Sequence, residues 1–226
     1  MKTLALSFIL MLFICSLKAQ STFVRLLTGK GDITLMLYDQ TPKHRDMFLQ
    51  AIKDGTYNEA AFNRVIKSFV SQGGELDEVI LDREKQHPEN APKRLAAEIK
   101  PGLFHKKGAL GAGRNDNPEK SSYLSQIYLV AGKKQTDAQL DAIETKKGIK
   151  FSKKQRETYK TIGGTPHLDQ DYTVFGEVVE GIDIADEINS VATNKDDLPL
   201  DPIVFKAVIL SKKEALRLRN VERSKS

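Results

Sequence analysis

Apolar and polar residues alternate one by one over much of this chain, the period expected of strands with one buried face. Residues 22–27 and 32–38 make the first pair, divided by Gly29, Lys30 and Gly31, and in the second Ile33, Leu35 and Leu37 alternate with Thr34, Met36 and Tyr38. The period then changes to a helical one. Across residues 42–53, Met47, Phe48, Ala51 and Ile52 fall on one stripe, with Thr41 as N-cap, Pro42 at the first helical position and Gly55 as the stop. Further strands are predicted at 125–130, with Gln126 and Tyr128 on one face and Ile127 and Leu129 on the other, and at 174–179 and 203–210. Residues 182–190 form a short helix in this reading, with Ile184, Ala185 and Ile188 inward.

One stretch departs from simple alternation. Residues 62–74 read FNRVIKSFVSQGG, which as a strand places Phe62, Arg64 and Ile66 on one face and Asn63 and Val65 on the other. Arg64 is thereby aimed along a row of large apolar side chains. Phe69, Val70 and Gln72 then supply a ring, a branched aliphatic group and an amide before Gly73 and Gly74 permit a sharp turn. Two readings stay open on this pattern: an edge strand whose arginine reaches water along its aliphatic stem, or the floor of a binding site.

Between the strands lie two polar excursions. Residues 75–94 are charged and carry Pro88 and Pro92, which suggests a departure from the sheet containing a short helical turn. Residues 136–163 hold two helices, each opened by a capping box, Thr136 with Gln139 and Ser152 with Gln155, and closed by Gly148 and Gly163. Their lysine pairs, 133–134, 146–147 and 153–154, read as solvated helix surface, with a site for acidic partners or a membrane surface as the alternative. In residues 103–113, LFHKKGALGAG, the glycines do not match GxGxxG, so close backbone approach within a strand is expected in place of a nucleotide loop. About eight short strands, not alternated regularly with helices, indicate a mainly β fold: a closed, eight-stranded antiparallel barrel capped by two helices. One domain over 22–211 suffices, with insertions at 76–95 and 132–164 and a polar, partly helical tail at 212–226 that frays.

Composition narrows the chemistry. Residues 1–19 join Lys2 to an apolar run and end at Ala19, the pattern of a secretory signal peptide cut after Ala19, with Leu17 and Ala19 facing the peptidase. Lipid attachment at Cys15 is the alternative, disfavoured because Ile14 is not small. Cleavage removes the only cysteine, which excludes disulfides and cysteine catalysis from the exported chain, and the expected address is the periplasm. Lys2 and Lys18 leave with the leader, lowering a formal charge of +5 by two, and no basic stripe interleaved with aromatics remains, so nucleic acid is not an expected partner. The four histidines are far apart, and there is no GxSxG elbow, Walker loop or carboxylate pair, so neither a metal nor a hydrolase site is expected.

At this point four motifs, in order, resemble the cyclophilins, the peptidyl-prolyl cis-trans isomerases. FNRVIKSFVSQGG is similar to the family's FHRVIxxFMxQGGD, GALGAGR at 108–114 to GxIxMAR, LSQIYLV at 124–130 to SQFFI, and HLDQDYTVFGEVVEG at 167–181 to WLDGxHxVFGxVxxG. The resemblance implies that Arg64 is the catalytic arginine. It implies that Phe69, Val70, Tyr128, Leu168 and Tyr172 line a proline pocket, with Gln72, Gln126 and the Gly113-Arg114 backbone gripping the peptide and His167 beside them. No cofactor is implied, and the expected partners are proline-containing peptides or unfolded client proteins of a monomer without a membrane span. Val70 is shorter than the family's methionine, Tyr128 adds a hydroxyl to its phenylalanine, Tyr172 replaces a histidine and Asn63 replaces the histidine before the arginine. An exported isomerase is the leading reading, beside a peptide-binding chaperone without turnover and an interaction protein acting through the lysine-rich insertion. Because His167 stands where the family has the tryptophan associated with cyclosporin binding, the drug is expected to inhibit poorly, and an inhibition curve with a nanomolar midpoint would contradict this.

Overall fold

The first two alternating stretches pair as an antiparallel hairpin in the computed structural model, which describes residues 22–225. Strands β1 (Thr22–Thr28) and β2 (Gly31–Leu37) meet with Thr28 opposite Gly31. The leader expected at 1–19, Cys15 included, lies outside the described residues. Six more strands follow: β3 (Ala60–Ile66), β4 (Val70–Gly74), β5 (Ala109–Ala112), β6 (Gln126–Val130), β7 (Val174–Glu180) and β8 (Ile203–Ile209). They close a barrel in the order β1-β2-β7-β5-β6-β4-β3-β8, with β8 returning to pair with β1 in antiparallel register. Closure leaves no strand edge unpaired.

Inward residues of every strand except β4 fill the barrel core, among them Leu26, Ile33, Leu35, Leu110, Ile127 and Phe205. Two helices close its ends. Helix α1 (Pro42–Lys53) contributes Phe48, which meets Tyr57 and Phe175 edge-on, and a short helix after β7, Ile182–Asn189, contributes Ile188. Thr41 stands at the start of α1, but its hydroxyl turns back to Tyr38 O at 3.4 Å. The free N–H groups of Lys43 and His44 instead donate to the Glu98 carboxylate, at 3.2 and 2.9 Å. His44 Nδ1–H donates to the same carboxylate at 2.8 Å and its Nε2 accepts from Ser122 at 3.1 Å. A side chain distant in sequence has taken over the cap.

The structure revises the expected faces of β3. The β3–β4 register slips between Phe62, opposite Gly73, and Arg64, opposite Gln72. One extra residue on β3 lets Phe62 and Val65, three positions apart, both enter the barrel core, while Asn63 and Arg64 stay outside. Strict alternation had put Val65 opposite Phe62 and had grouped Arg64 with Phe62 and Ile66.

Both excursions hold more structure than the pattern suggests. Helix α2 (Asp77–Gln86) is ten residues long, not a single turn. Acidic Asp77 and Glu78 open it and basic Arg83 and Lys85 end it, Ile80 is its buried residue, and Arg83–Glu75 and Arg94–Glu84 pairs tie it down. Helices α3 (Asp137–Lys147) and α4 (Lys153–Thr161) carry both expected capping boxes. They are not simply solvated surface, since Leu140, Phe151 and Tyr159 pack with Phe104 in a small core of their own. At the neck of this hairpin a Cβ on Gly132 would lie 2.3 Å from Gly164 Cα, so glycine is required for the two chain segments to touch. The short helix at Ile182–Asn189 is therefore α5, and the tail forms α6 (Lys212–Lys225), docked through Ala215 and Leu218 onto Phe23. No helix among the described residues is long and apolar enough to cross a membrane.

The turn from β3 to β4 is held from α5. Ser68 has φ 61° and donates its backbone N–H to Asn189 Oδ1 at 2.7 Å, while Asn189 Nδ2 donates to Ile66 O at 3.1 Å and Ser71 Oγ at 3.0 Å. Replacing this buried amide strands three polar partners at once. Asn189→Leu is expected to lower the unfolding free energy by about 2 kcal/mol, read as a lower urea midpoint at unchanged slope.

Candidate active site

Phe69 and Val70 leave the braced turn at one end of an open groove of about 580 Å³ on the outside of the barrel. Arg64, Phe69, Val70, Gln72, Gly113, Arg114, Gln126, Tyr128, Leu168 and Tyr172 all line it, brought together from β3, β4, β6 and the segments after β5 and before β7. His167 stands outside the lining, its ring stacked on Phe69 with centroids 5.3 Å apart. A larger cavity of about 650 Å³ lies behind α2, but of the motif residues it gathers only Leu124 and Ser125, and its Arg83 is already paired with Glu75.

The floor of the groove is apolar. Val70, Ala109, Tyr128, Val130 and Val174 form a cluster, against which Phe69, Leu168 and Tyr172 pack half-buried. Tyr128 and Tyr172 meet edge-on at 6.1 Å. Burial, with Tyr172 and Asp169 alongside, pushes the Tyr128 phenol well above its ordinary value, so it remains a protonated donor.

Over this floor stands one half-exposed guanidinium. The Arg64 side chain is 42% accessible, lies across the strand pair from Gln72, and has Asp197 Oδ2 at 3.6 Å from its Nη2. At that exposure the ion pair contributes at most about 1 kcal/mol of stability, so its consequence is orientation. Asp197 itself is fixed, since its carbonyl accepts the Val65 N–H at 2.8 Å. Arg114 has a different part. Its Nε donates to Asp171 O at 2.8 Å and its guanidinium covers the Tyr172 ring at 4.6 Å, so its side chain braces a wall.

Gln126 is also committed. Its amide donates to Glu75 O at 2.9 Å and to Asp77 Oδ1 at 2.6 Å, leaving Oε1, which lies where a Cβ on Gly113 would be. That contact explains the glycine at 113.

Sequence reasoning missed Asn63, Leu76, Asp77, Glu78, Asp196 and Leu198, which also line the groove. Asn63 was hidden by the slipped register; its Nδ2 donates to Gly74 O, and its buried Oδ1 has no partner among the described residues. The first turn of α2 was hidden because residues 75–94 look like loop. Asp196 and Leu198 come from the loop before β8, and no local signal ties them to Arg64. Chemically, the groove offers an apolar seat and a cation held at the rim.

A family model described as cyclophilin type peptidyl-prolyl cis-trans isomerase/CLD matches residues 23–209. A Staphylococcus saprophyticus protein assigned as a peptidyl-prolyl cis-trans isomerase is 30% identical over 182 residues, covering 80% of this chain and 87% of that protein. A longer Streptococcus pyogenes protein, assigned as a bifunctional phosphatase/peptidyl-prolyl cis-trans isomerase, is 29% identical over 201 residues. The match covers 82% of this chain but spans only 38% of that protein's length. Among solved structures, a Cryptosporidium parvum cyclophilin type peptidyl-prolyl cis-trans isomerase superposes with a TM-score of 0.60 at 21% identity, over 85% of this chain and 99% of that one. It shares the fold.

Burial, reinforced by His105 and Lys147 nearby, pushes the His167 imidazole below its ordinary 6.5. The ring stacked on Phe69 is therefore neutral at and above that pH, and protonation below it favours the ring's departure into water. Affinity for an uncharged proline peptide is expected to be flat through the neutral and mildly alkaline range and to fall only in acid, below the range in which an ordinary imidazole titrates. Titration calorimetry across pH measures this, and His167→Phe should remove the acid limb.

Proposed function

The chain belongs to the cyclophilin-type peptidyl-prolyl cis-trans isomerase family, and we propose that Arg64 is its catalytic residue, acting on an Xaa-Pro bond seated in the groove. The observation that carries this assignment is the placement of one guanidinium above an apolar floor large enough for a proline ring.

Rotation about an Xaa-Pro bond meets a barrier of about 18 to 20 kcal/mol because amide resonance must be broken. Uncatalysed, it takes tens to hundreds of seconds. When the bond twists, the proline nitrogen becomes pyramidal and regains a lone pair. Arg64 donates a hydrogen bond to that nitrogen, an interaction absent from the planar ground states, so the barrier falls and not merely the substrate's energy. Asp197 keeps the guanidinium in position.

Phe69, Val70, Tyr128, Leu168 and Tyr172 hold the ring while the preceding carbonyl swings, and Gln72, the Gln126 Oε1 and the Arg114 backbone hold the peptide, since the Gly113 N–H already donates to Gln126 O and its C=O accepts from the Tyr123 N–H. Water excluded from the floor lowers the local dielectric and strengthens the donor. No acid, base or nucleophile takes part in this mechanism. The apolar pattern of residues 1–19 supports export, so the substrates are proline-containing segments of proteins folding in the periplasm.

One preorganised donor of this kind contributes roughly 3 kcal/mol, on the order of a hundredfold in rate. Arg64→Ala is therefore expected to lower kcat/KM for an Xaa-Pro peptide about a hundredfold while peptide affinity changes little, and equal rates for the two proteins would exclude the mechanism.

A further inference from the structure

Tyr128 brings a hydroxyl to the floor of an apolar pocket, where a free polar atom would oppose burial of a proline ring. Its Oη lies 2.8 Å from His105 Nε2, and His105 Nδ1 lies 2.7 Å from Asp169 Oδ1. Asp169 Oδ1 also accepts the His105 backbone N–H at 2.8 Å, and Oδ2 accepts the Tyr159 O–H at 2.6 Å. Tyr128, His105, Asp169 and Tyr159 are 4%, 1%, 5% and 0% exposed. With a neutral His105 ring these contacts have one consistent set of donors. Asp169 accepts throughout, so the imidazole proton sits on Nδ1, and Nε2 accepts the Tyr128 hydroxyl. That hydroxyl is committed to His105 and not to the groove.

The far end of this relay belongs to the hairpin of α3 and α4. Tyr159 sits in α4 between Phe104 and Phe151, edge-on to each at 5.4 and 5.6 Å. From α3, Lys147 Nζ donates to His167 O at 2.8 Å, to Asp169 O at 2.6 Å and to the Asp171 carboxylate, so it fixes the segment bearing Leu168 and Tyr172. Room for the Tyr128 ring comes from Gly111, where a Cβ would lie 2.1 Å from Tyr128 Cζ.

We propose that Tyr159 and Lys147 are positioning residues of the proline pocket: the α3–α4 hairpin holds the Tyr128 hydroxyl away from substrate through Asp169 and His105 and fixes the wall carrying Leu168 and Tyr172. This rests on the groove being the proline site. The insertion at residues 132–164 thereby gains a part in the site, because the hairpin reaches the pocket floor through Tyr159, Asp169, His105 and Tyr128.

A double-mutant cycle on the full chain tests it. Tyr159→Phe keeps the ring packed between Phe104 and Phe151 and removes only the hydroxyl. It should raise KM for an Xaa-Pro peptide about fivefold, the effect of one lost hydrogen bond, with kcat nearly unchanged, since the released hydroxyl disturbs ground and transition states alike. In a Tyr128→Phe background the same substitution should leave KM unchanged, because no hydroxyl remains to release. A rise of equal size in both backgrounds, or none in either, overturns the proposal. Peptide affinity measured by calorimetry on the same four proteins scores the coupling independently of turnover, so loss of the isomerase reading and loss of the relay are told apart. Should Tyr159→Phe not fold, nitrogen shifts of His105 in the unsubstituted protein decide: the Nδ1-protonated tautomer supports the relay and the Nε2-protonated one overturns it.

Discussion

One residue too many on β3 allows a single strand to serve two environments. The barrel interior needs Phe62 and Val65, and the groove outside needs Asn63 and Arg64; an unbroken alternation cannot supply both pairs. The slipped register resolves the conflict. It leaves Arg64 opposite Gln72, within reach of Asp197, and above the floor built by β4 and β6. The twist that a bulge imposes on a strand is tolerated because the neighbouring strands close the barrel and leave no edge free to fray.

The groove is thus built by division of labour. Strand side chains supply the rigid floor, Val70 from β4 and Tyr128 from β6, while the loops supply the cation's partner and the walls. Each wall is tied by polar contacts that do not face substrate: Asn189 holds the turn before Val70, Arg114 covers Tyr172, and Lys147 gathers three acceptors between His167 and Asp171. In the proposed mechanism such ties matter because no bond is made or broken, and the advantage lies in holding a ring still beside a preorganised donor. The hydroxyl of Tyr128 looks like a defect in that design, and the buried contact with His105 removes the defect.

Much of this was legible in the chain itself. Period-two alternation located β1, β2, β6, β7 and β8, the capping boxes at Thr136 and Ser152 located α3 and α4, and the glycine and proline signals around Pro42 and Gly55 bounded α1. Those signals are local, set by backbone conformation and by which face of an element is buried, and they survive in a single sequence. The motif around Arg64 was local too, and it led to the family. The length of α2 was not legible, because charged residues in 75–94 suit a solvated helix and a loop equally; Ile80 settles the matter only once it has something to pack on.

What the sequence determined by itself was most of the elements and their order, and the motifs that lead to the family. Only the tertiary structure decided which way Arg64 points, since its facing depends on a register slip against β4 that β3 does not encode alone. Tertiary structure likewise placed Asp197 beside that arginine, Glu98 at the head of α1, and Tyr159 behind Tyr128. Each is a contact between residues far apart in the chain, chosen by barrel closure and by the need of buried polar groups for partners. Neither requirement leaves a periodic mark on a sequence.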